Sequence, residues 1–277
     1  MSTLRDQMIQ QMQLKGYSIN TIEAYLQSII HLSKHYNQSP DELSTEQIRA
    51  FIQHNMIEKK HSQSNINQLI SALKILYMQV LGRAWDEVAI PRSRVKFKLP
   101  VVLSRQEVER LLCVITNIKH RTLLCVAYSA GLRVSELTSL KPVDIDSQRM
   151  QLRVVQSKGN KDRYTLLSVT ALEQLRLYYK LFRPVTWLFE TGKGVAISQR
   201  QVQHVFRSAV KKAGITKKVS VHVLRHSFAT HLMEQGVSLA IIQQLLGHKS
   251  LRTTSIYLHV QQYALSSVKS PLDSLSI

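Results

Sequence analysis

The chain is 277 residues long, which is enough for two modest domains that each bury a core of their own. Its 37 Lys and Arg residues outnumber its 18 Asp and Glu residues, so the formal net charge is +19. An excess of this size attracts polyanions, and nucleic acid is the usual one. No apolar run approaches the ~20 residues of a membrane span, and the first residues lack a signal segment. We therefore expect a cytoplasmic protein that binds nucleic acid and no membrane.

The first 88 residues predict a domain of four helices. The first helix is expected near Leu4–Leu14, and Ser18 precedes the second. Ser44 and Gln47 have the spacing of a capping box, which predicts the start of the third helix. Gly82 stands where the fourth should end. In the last three helices, apolar residues recur on one face. These residues are Ile22, Tyr25, Leu26, Ile29 and Leu32, then Ile48, Phe51 and Ile52, then Ile66, Leu69, Ile70, Leu73, Leu76, Tyr77 and Val80.

Residues 89–100 predict an extended basic linker, because prolines near both ends disfavour a helix. Alternate side chains of an extended chain point the same way, so four alternating cations would line one side. They are Arg92, Arg94, Lys96 and Lys98. An ordinary solvated linker requires neither this number of cations nor this spacing. We expect the linker to contact a phosphate backbone.

Residues 101–277 predict a second domain that is mainly helical with a small β-sheet. Ser104 and Glu107 form another expected capping box. Helical patterns cover roughly 105–115, 120–129, 134–140, 170–180, 198–213, 223–235 and 238–246. Apolar strands at 150–155 and 164–167 flank the Gly-containing turn 158–161, which predicts a β-hairpin.

Cys113 and Cys125 lie among apolar residues in helical patterns. We expect both to be buried, reduced thiols, with neither a disulfide framework nor a metal site. The sequence also contains no Gly-x-x-x-x-Gly-Lys-Ser/Thr nucleotide loop, so we expect no cofactor.

Five short segments in the second domain combine glycine, cations, histidine and tyrosine. They span residues 131–137, 157–163, 222–231, 246–250 and 253–259. In this order they resemble the tyrosine recombinase (phage integrase) family, in particular its Xer-like members and mobile-element integrases. The family pattern is an arginine in Gly-Leu-Arg-x-Ser-Glu-Leu, a lysine on a β-hairpin, His-x-x-Arg-His, Leu-Gly-His and a later tyrosine. The tyrosine follows the last histidine by nine residues, as Tyr257 follows His248.

The resemblance covers nearly the whole chain and implies its architecture. A helical core-binding (SAM-like) domain would occupy residues 1–88, a basic linker 89–100 and an α+β catalytic domain 101–277. The two domains would clamp a DNA duplex from opposite sides.

The resemblance further implies a metal-free site in which Tyr257 attacks a DNA phosphate and forms a 3′-phosphotyrosyl link. Arg133 and Arg225 would hold the phosphoryl oxygens, because guanidinium groups bind in bidentate fashion and remain charged. Glu136, one turn after Arg133, would orient its neighbours. A 5′-hydroxyl from another strand can then attack the phosphotyrosine, so the strand is rejoined without ATP.

Proton transfers fall to three further residues in this scheme. His222 and His248 would hydrogen-bond the same phosphoryl oxygens, and His222 is the expected proton acceptor for the tyrosine hydroxyl. Lys158, on the hairpin, would protonate the departing 5′-oxygen.

Other cations near these segments predict DNA contacts. Lys161 and Arg163 stand beside Lys158 in the hairpin, and Lys249 follows His248. We expect these side chains to touch phosphates. A further group fits a solvated surface as well as it fits DNA contact, and consists of Lys211, Lys212, Lys217 and Lys218.

Plainer interpretations exist for single residues. Tyr257 is one of ten tyrosines and gains its significance only from its position after His248. His222 and His226 are four apart on a helix, but a metalloprotease would have Glu where Val223 stands. We expect His226, together with His231 and His259, to pack or face solvent.

Three functions compete at this point. The leading one is site-specific recombination, with two protomers on each of two double-stranded sites, a homotetramer in the synaptic complex and a Holliday junction between two rounds of exchange. The protomer would be monomeric when free. The second is a catalytically silent DNA-binding accessory factor, and the third is a type IB topoisomerase-like strand relaxer. A short helix within 260–268, ended by Pro271, would follow the nucleophile and be exchanged between protomers.

Overall fold

The computed structural model describes residues 3–85, 92, 99–157, 161–248 and 250–258, with Gln156, Ser157 and Lys161 described by their backbone only. The chain divides into two units, Met1–Phe97 and Lys98–Ile277, and each has a hydrophobic core of its own. Within the described ranges, no helix has the length and apolar character to cross a membrane.

The first unit is helical, as the sequence predicts. Its α-helices are α1 (Leu4–Leu14), α2 (Ile19–Tyr36), α3 (Thr45–Ile57) and α4 (Gln63–Lys74). Each of the last three begins after a serine whose hydroxyl accepts a backbone N–H of the first turn, which satisfies one of the free donors there. The predicted box of Ser44 and Gln47 is present, since the Gln47 side chain also accepts the N–H of Ser44 at 2.9 Å.

The last predicted helix of this unit changes character before it ends. After α4 the chain continues as a π-helical turn over Ile75–Val80. Three consecutive side chains of this turn, Ile75, Leu76 and Tyr77, are buried. Gly82 follows with φ +65°, a left-handed conformation that favours glycine.

The second unit mixes helices and short strands around the larger core. Its helices are α5 (Arg105–Cys113), α6 (Ile118–Ser129), α7 (Val134–Thr138), α8 (Val169–Phe182), α9 (Gln199–Lys212), α10 (His222–Glu234), α11 (Leu239–Leu246) and α12 (Leu251–Thr254). Its strands are β1 (Ile145–Asp146), β2 (Gln151–Ser157), β3 (Lys161–Leu166), β4 (Glu190–Gly192) and β5 (Val195–Ala196). The fold is mainly α with a small β component, as predicted.

An antiparallel sheet of order β1-β2-β3 contains the predicted hairpin. Leu152 pairs with Thr165 and Val154 with Arg163, so both strands run further toward the tip than the sequence indicates. The register shifts between Val154 and Ser157. The strand β1 and the small β4–β5 hairpin were not predicted, because segments of two or three residues have no readable alternation.

A small separate core lies at the end of the described chain. Phe228 and Met233 on α10 pack with Ile242 and Leu246 on α11 and with Tyr257. Tyr257 itself lies in a 3₁₀ turn, Ser255–Tyr257, directly after α12. These helices therefore hold the tyrosine against α10.

The prediction for the cysteines is wrong in part. Cys113 is exposed at the end of α5, and Cys125 is only partly buried. The helical spacing was correct, but α5 ends at Cys113, so its side chain lies beyond the buried face. Both thiols are free.

Candidate active site

A buried carboxylate, Glu136, organises the site. Its side chain is 6% exposed and lies in the first turn of α7. Oε2 accepts the backbone N–H of Arg133 at 2.8 Å, and Oε1 accepts Nη1 of Arg133 at 2.7 Å. Arg133 begins the helix after Gly131, whose positive φ turns the chain out of α6. The first site arginine is thus fixed by both its backbone and its guanidinium.

Arg163 contacts the same carboxylate from β3. Its Nη1 and Nη2 each donate to Glu136 at 2.8 Å, and its Nε donates to the Leu245 carbonyl at 2.8 Å. The side chain is 8% exposed. The expectation that Arg163 touches DNA therefore needs correction, because its donors are used inside the protein. Arg163 instead joins the hairpin to α7 and to the end of α11.

Arg225 on α10 is the third guanidinium of this cluster and is also buried. Its Nη1 donates to the Gly131 carbonyl at 2.7 Å, and its Nη2 donates to the Leu246 carbonyl at 2.6 Å. Its Nη1 also lies 3.7 Å from Glu136 Oε2. These bonds connect the segments of all three arginines in one network.

Charge and burial set the ionisation of this network. Burial opposes the charge on Glu136, but the hydrogen bonds and charge of Arg163, with help from Arg133 and Arg225, lower its pKa to about 2. Burial and the neighbouring Arg133 lower the pKa of Arg225 to about 10. At neutral pH the carboxylate and Arg225 are both charged. Three guanidiniums share one carboxylate, so the cluster keeps positive charge for a phosphate.

The two predicted histidines are uncharged at neutral pH. The Nδ1 of His248 pairs with the Thr254 hydroxyl at 2.9 Å, and burial with the charges of Arg225 and Arg133 lowers its pKa to about 4. Burial, Arg225 and Arg133 likewise lower the pKa of His222. A neutral imidazole can donate one N–H to an anion without adding charge.

Tyr257 is 1% exposed, and its hydroxyl pairs with Nδ1 of His226 at 3.1 Å. Burial raises the pKa of Tyr257, while the charges of Arg225 and Arg133 act in the opposite direction. His226 was expected to pack or face solvent, and it packs against the predicted nucleophile, a partner that the sequence analysis did not name. The sequence did contain a signal: residues four apart share a helix face, so His226 lies on the face of His222.

His231 and His259 were also expected to pack or face solvent. His231 packs inside the fold, where its Nδ1 pairs with the Tyr128 hydroxyl at 2.8 Å. His259 lies outside the described residues.

Several predicted site residues also lie outside the described residues. They are Lys158, Arg94, Lys96, Lys98 and Lys249, as is the predicted helix within 260–268. Lys161 is described by its backbone only, as the residue that pairs with Ser157 at the start of β3. Arg92 is exposed and donates to the Ser71 hydroxyl at 3.3 Å. Their contacts with DNA stay predictions.

The structure thus brings together Arg133, Glu136, Arg225 and, near them, His222, His248 and Tyr257. Among the described residues, no group of three or more His, Cys, Asp or Glu side chains forms a metal site.

Known proteins resemble this chain over both units. Residues 101–263 match the phage integrase family, and residues 4–87 match the phage integrase N-terminal SAM-like domain. Two relatives in sequence are a protein named integrase/recombinase y4qK from Sinorhizobium fredii and a tyrosine recombinase from Thermosipho africanus. The first is 39% identical over 99% of this chain and 90% of its own length. The second is 33% identical over 89% of this chain and 91% of its own.

A solved structure shares the fold. It is the XerH site-specific recombinase in a post-cleavage complex with its palindromic difH substrate. The TM-score is 0.75 at 23% identity, over 91% of this chain and 80% of that chain.

Proposed function

Because this chain belongs to the phage integrase family and is a tyrosine site-specific recombinase, we propose that it cleaves and rejoins double-stranded DNA through a 3′-phosphotyrosyl link at Tyr257. The observation that carries the proposal is the position of this hydroxyl. It lies beside a buried cluster in which Arg133 and Arg225 share the Glu136 carboxylate. That cluster supplies a fixed site for the anion that the tyrosine attacks.

Arg133 and Arg225 bind the phosphate that Tyr257 attacks. Arg133 is partly exposed and retains donors beyond the one given to Glu136. A phosphoryl oxygen that gains charge in the transition state is stabilised by donors held in place beforehand, since no reorganisation is then required. Glu136 holds the guanidiniums in fixed positions in the free protein. It prevents their collapse onto other acceptors.

The covalent step balances without an energy source. The Tyr257 oxygen forms a bond to phosphorus as the bond from phosphorus to the 5′-oxygen breaks. A histidine of the site accepts the proton of the Tyr257 hydroxyl, and Lys158 donates a proton to the departing oxygen. One phosphoester replaces another, so the bond energy stays in the protein–DNA link. The 5′-hydroxyl of a second strand then attacks the phosphotyrosine and releases Tyr257. This chemistry requires neither ATP nor a metal ion.

The partner is double-stranded DNA in a synaptic homotetramer. Two protomers bind each of two sites, exchange one pair of strands to form a Holliday junction, and then exchange the second pair. The net charge of +19 favours a phosphate backbone as the partner. The XerH recombinase, which shares the fold, was solved in complex with its difH substrate, and this supports DNA as the partner.

Covalent capture tests the proposal without knowledge of the target site. A pool of duplexes, nicked near the centre and randomised across it, is incubated with the protein and run on a denaturing gel. Nicking lets the short fragment diffuse away, so the phosphotyrosyl adduct accumulates. We expect an adduct from the wild type and none from Tyr257→Phe. Sequencing of the captured DNA then identifies the site.

The matched control is Tyr128→Phe. Tyr128 is a second tyrosine whose hydroxyl pairs with a histidine of α10, so the variant loses a similar hydrogen bond. It should keep the adduct. An adduct from Tyr257→Phe overturns the assignment of the nucleophile, and no adduct from the wild type with any duplex of the pool favours a silent accessory factor. Plasmid relaxation without junction products favours a topoisomerase.

A further inference from the structure

The hydrogen bond between Tyr257 and His226 has no role in the proposed cleavage and rejoining steps. It joins the Tyr257 Oη and the His226 Nδ1 at 3.1 Å, with the two rings tilted by 52°. His226 lies on α10 directly after Arg225, which anchors the helix through the Gly131 and Leu246 carbonyls. The imidazole is therefore held by the same helix that holds a phosphate-binding arginine.

His226 is in the form that accepts a proton. Burial, together with His222 and Arg225, lowers its pKa to about 4, so the ring is neutral at neutral pH. A neutral ring has one bare nitrogen, and in the tautomer that carries its proton on Nε2 the Tyr257 hydroxyl donates to Nδ1. Arg225 is one of the groups that disfavour a second proton on the ring, and a bound DNA phosphate would offset its charge. Substrate binding would thus strengthen His226 as a base at the moment it is needed.

His222 occupies a different position. It lies at the surface at the start of α10, where partial burial and the charges of Arg225 and Arg133 lower its pKa while Glu136 acts in the opposite direction. That environment suits a hydrogen bond to the bound phosphate. Among the described residues, His226 is the hydrogen-bond partner of the tyrosine hydroxyl.

We propose that His226, rather than His222, is the catalytic residue that accepts the proton of Tyr257. The inference rests on the proposed function of Tyr257 as nucleophile. The proton moves from Oη to Nδ1 while Oη bonds to phosphorus and the 5′-oxygen departs. During rejoining, the 5′-hydroxyl attacks the phosphotyrosine and gives its proton to Lys158, and Nδ1 returns the other proton to the leaving Tyr257 oxygen. Proton count and charge on the imidazole are restored after each cycle.

Single-turnover cleavage of the captured nicked duplex tests this role. His226→Phe removes the acceptor and should slow adduct formation by about 100-fold, the lower range for loss of a general base. His226→Gln keeps a hydrogen-bond acceptor for the hydroxyl but does not take up its proton, so it should be slowed to a similar degree. The matched control is His231→Phe, which breaks the His–Tyr bond on the same helix away from the site. It should stay within about threefold of the wild type, because it leaves the reacting atoms untouched.

A more acidic nucleophile separates proton transfer from packing. With 3-fluorotyrosine at position 257 the phenol depends less on a base, so the penalty of His226→Gln should shrink about tenfold. The penalty of His222→Gln should not shrink. A 5′-bridging phosphorothiolate, whose leaving group requires no proton, should rescue Lys158→Ala and not His226→Gln.

The outcomes distinguish a failure of Tyr257 as nucleophile from a failure of His226 as proton acceptor. An adduct from Tyr257→Phe overturns the proposed function. A Tyr257-dependent adduct that forms at the wild-type rate in folded His226→Gln overturns the role of His226 alone. A fluorotyrosine rescue of His222→Gln in place of His226→Gln also overturns it. Thermal unfolding confirms that each variant is folded.

Discussion

A single carboxylate determines whether the site arginines can coexist. Arg133, Arg163 and Arg225 converge on Glu136, and two of the three are buried. Like charges this close repel strongly in a poorly solvated interior. Glu136 offsets that repulsion and also fixes the directions of the donors. Its role is structural and electrostatic at once.

Glu136→Gln tests this role. The amide keeps the shape but removes the charge, so three guanidiniums lose their shared counter-ion. We expect a loss of about 3 kcal/mol in the free energy of unfolding, the typical effect of breaking a buried ion pair. Sulfate should restore stability to this variant more than to the wild type, because an anion can replace the missing charge. Urea unfolding with and without sulfate measures both effects.

Glu107→Gln provides the matched control. Glu107 pairs with the exposed Lys217 at 2.6 Å, and glutamine preserves the capping box with Ser104. A pair near the surface contributes less than about 1 kcal/mol. Equal losses in the two variants, or no sulfate effect specific to Glu136→Gln, would contradict the role of Glu136.

At the scale of elements, the turn after α11 is a crowded junction of the site. Gly247 ends α11 with φ +64°, and His248 follows it. A Cβ at this position would lie 2.7 Å from Cδ of Arg163. Arg163 cannot move aside freely, since three of its nitrogens are hydrogen-bonded. Glycine is therefore required for space as well as for backbone conformation.

Gly247→Ala and Gly236→Ala separate these two requirements. Both glycines have positive φ, but a Cβ at Gly236 meets nothing within 4 Å. We expect both variants to lose about 1 kcal/mol for the left-handed conformation. Gly247→Ala should lose about 1–3 kcal/mol more through overpacking, and its cleavage should slow because Arg163 and His248 are displaced. Urea unfolding and the adduct assay measure these losses, and equal stability of the two variants would refute the steric argument.

Local patterns in the sequence predicted most elements, and the two contacts that they missed at the site share one physical cause. Helix faces, serine caps and the hairpin depend on neighbours along the chain, so they were readable. Arg163 and His226 acquire their partners only in the folded chain. Arg163 reaches Glu136, 27 positions away, and His226 reaches Tyr257, 31 positions away. Cations beside a catalytic segment look alike in sequence whether they face DNA or a buried carboxylate.

At the scale of the whole molecule, the net charge of +19 predicts binding that depends on salt. A protein that neutralises phosphates releases condensed counterions, so its affinity falls as salt rises. The question is whether net charge or particular contacts control the slope. The linker cations Arg94, Lys96 and Lys98 are predicted phosphate contacts, whereas Lys211 and Lys212 at the exposed end of α9 and Lys218 fit solvated surface equally well.

Two triple variants that have the same net charge separate the effect of total charge from the effect of particular contacts. Changing Arg94, Lys96 and Lys98 to Gln should reduce the slope of log affinity against log salt by about 2.7, since each phosphate contact contributes about 0.9. Changing Lys211, Lys212 and Lys218 to Gln should leave the slope within about 0.5 of the wild type, because no counterion release is lost. Titration of the captured duplex from about 0.1 to 0.3 M KCl measures the slopes. Equal reductions in both variants would show that the linker cations have no special share in binding, and an unchanged slope in the linker variant would remove Arg94, Lys96 and Lys98 from the predicted phosphate contacts.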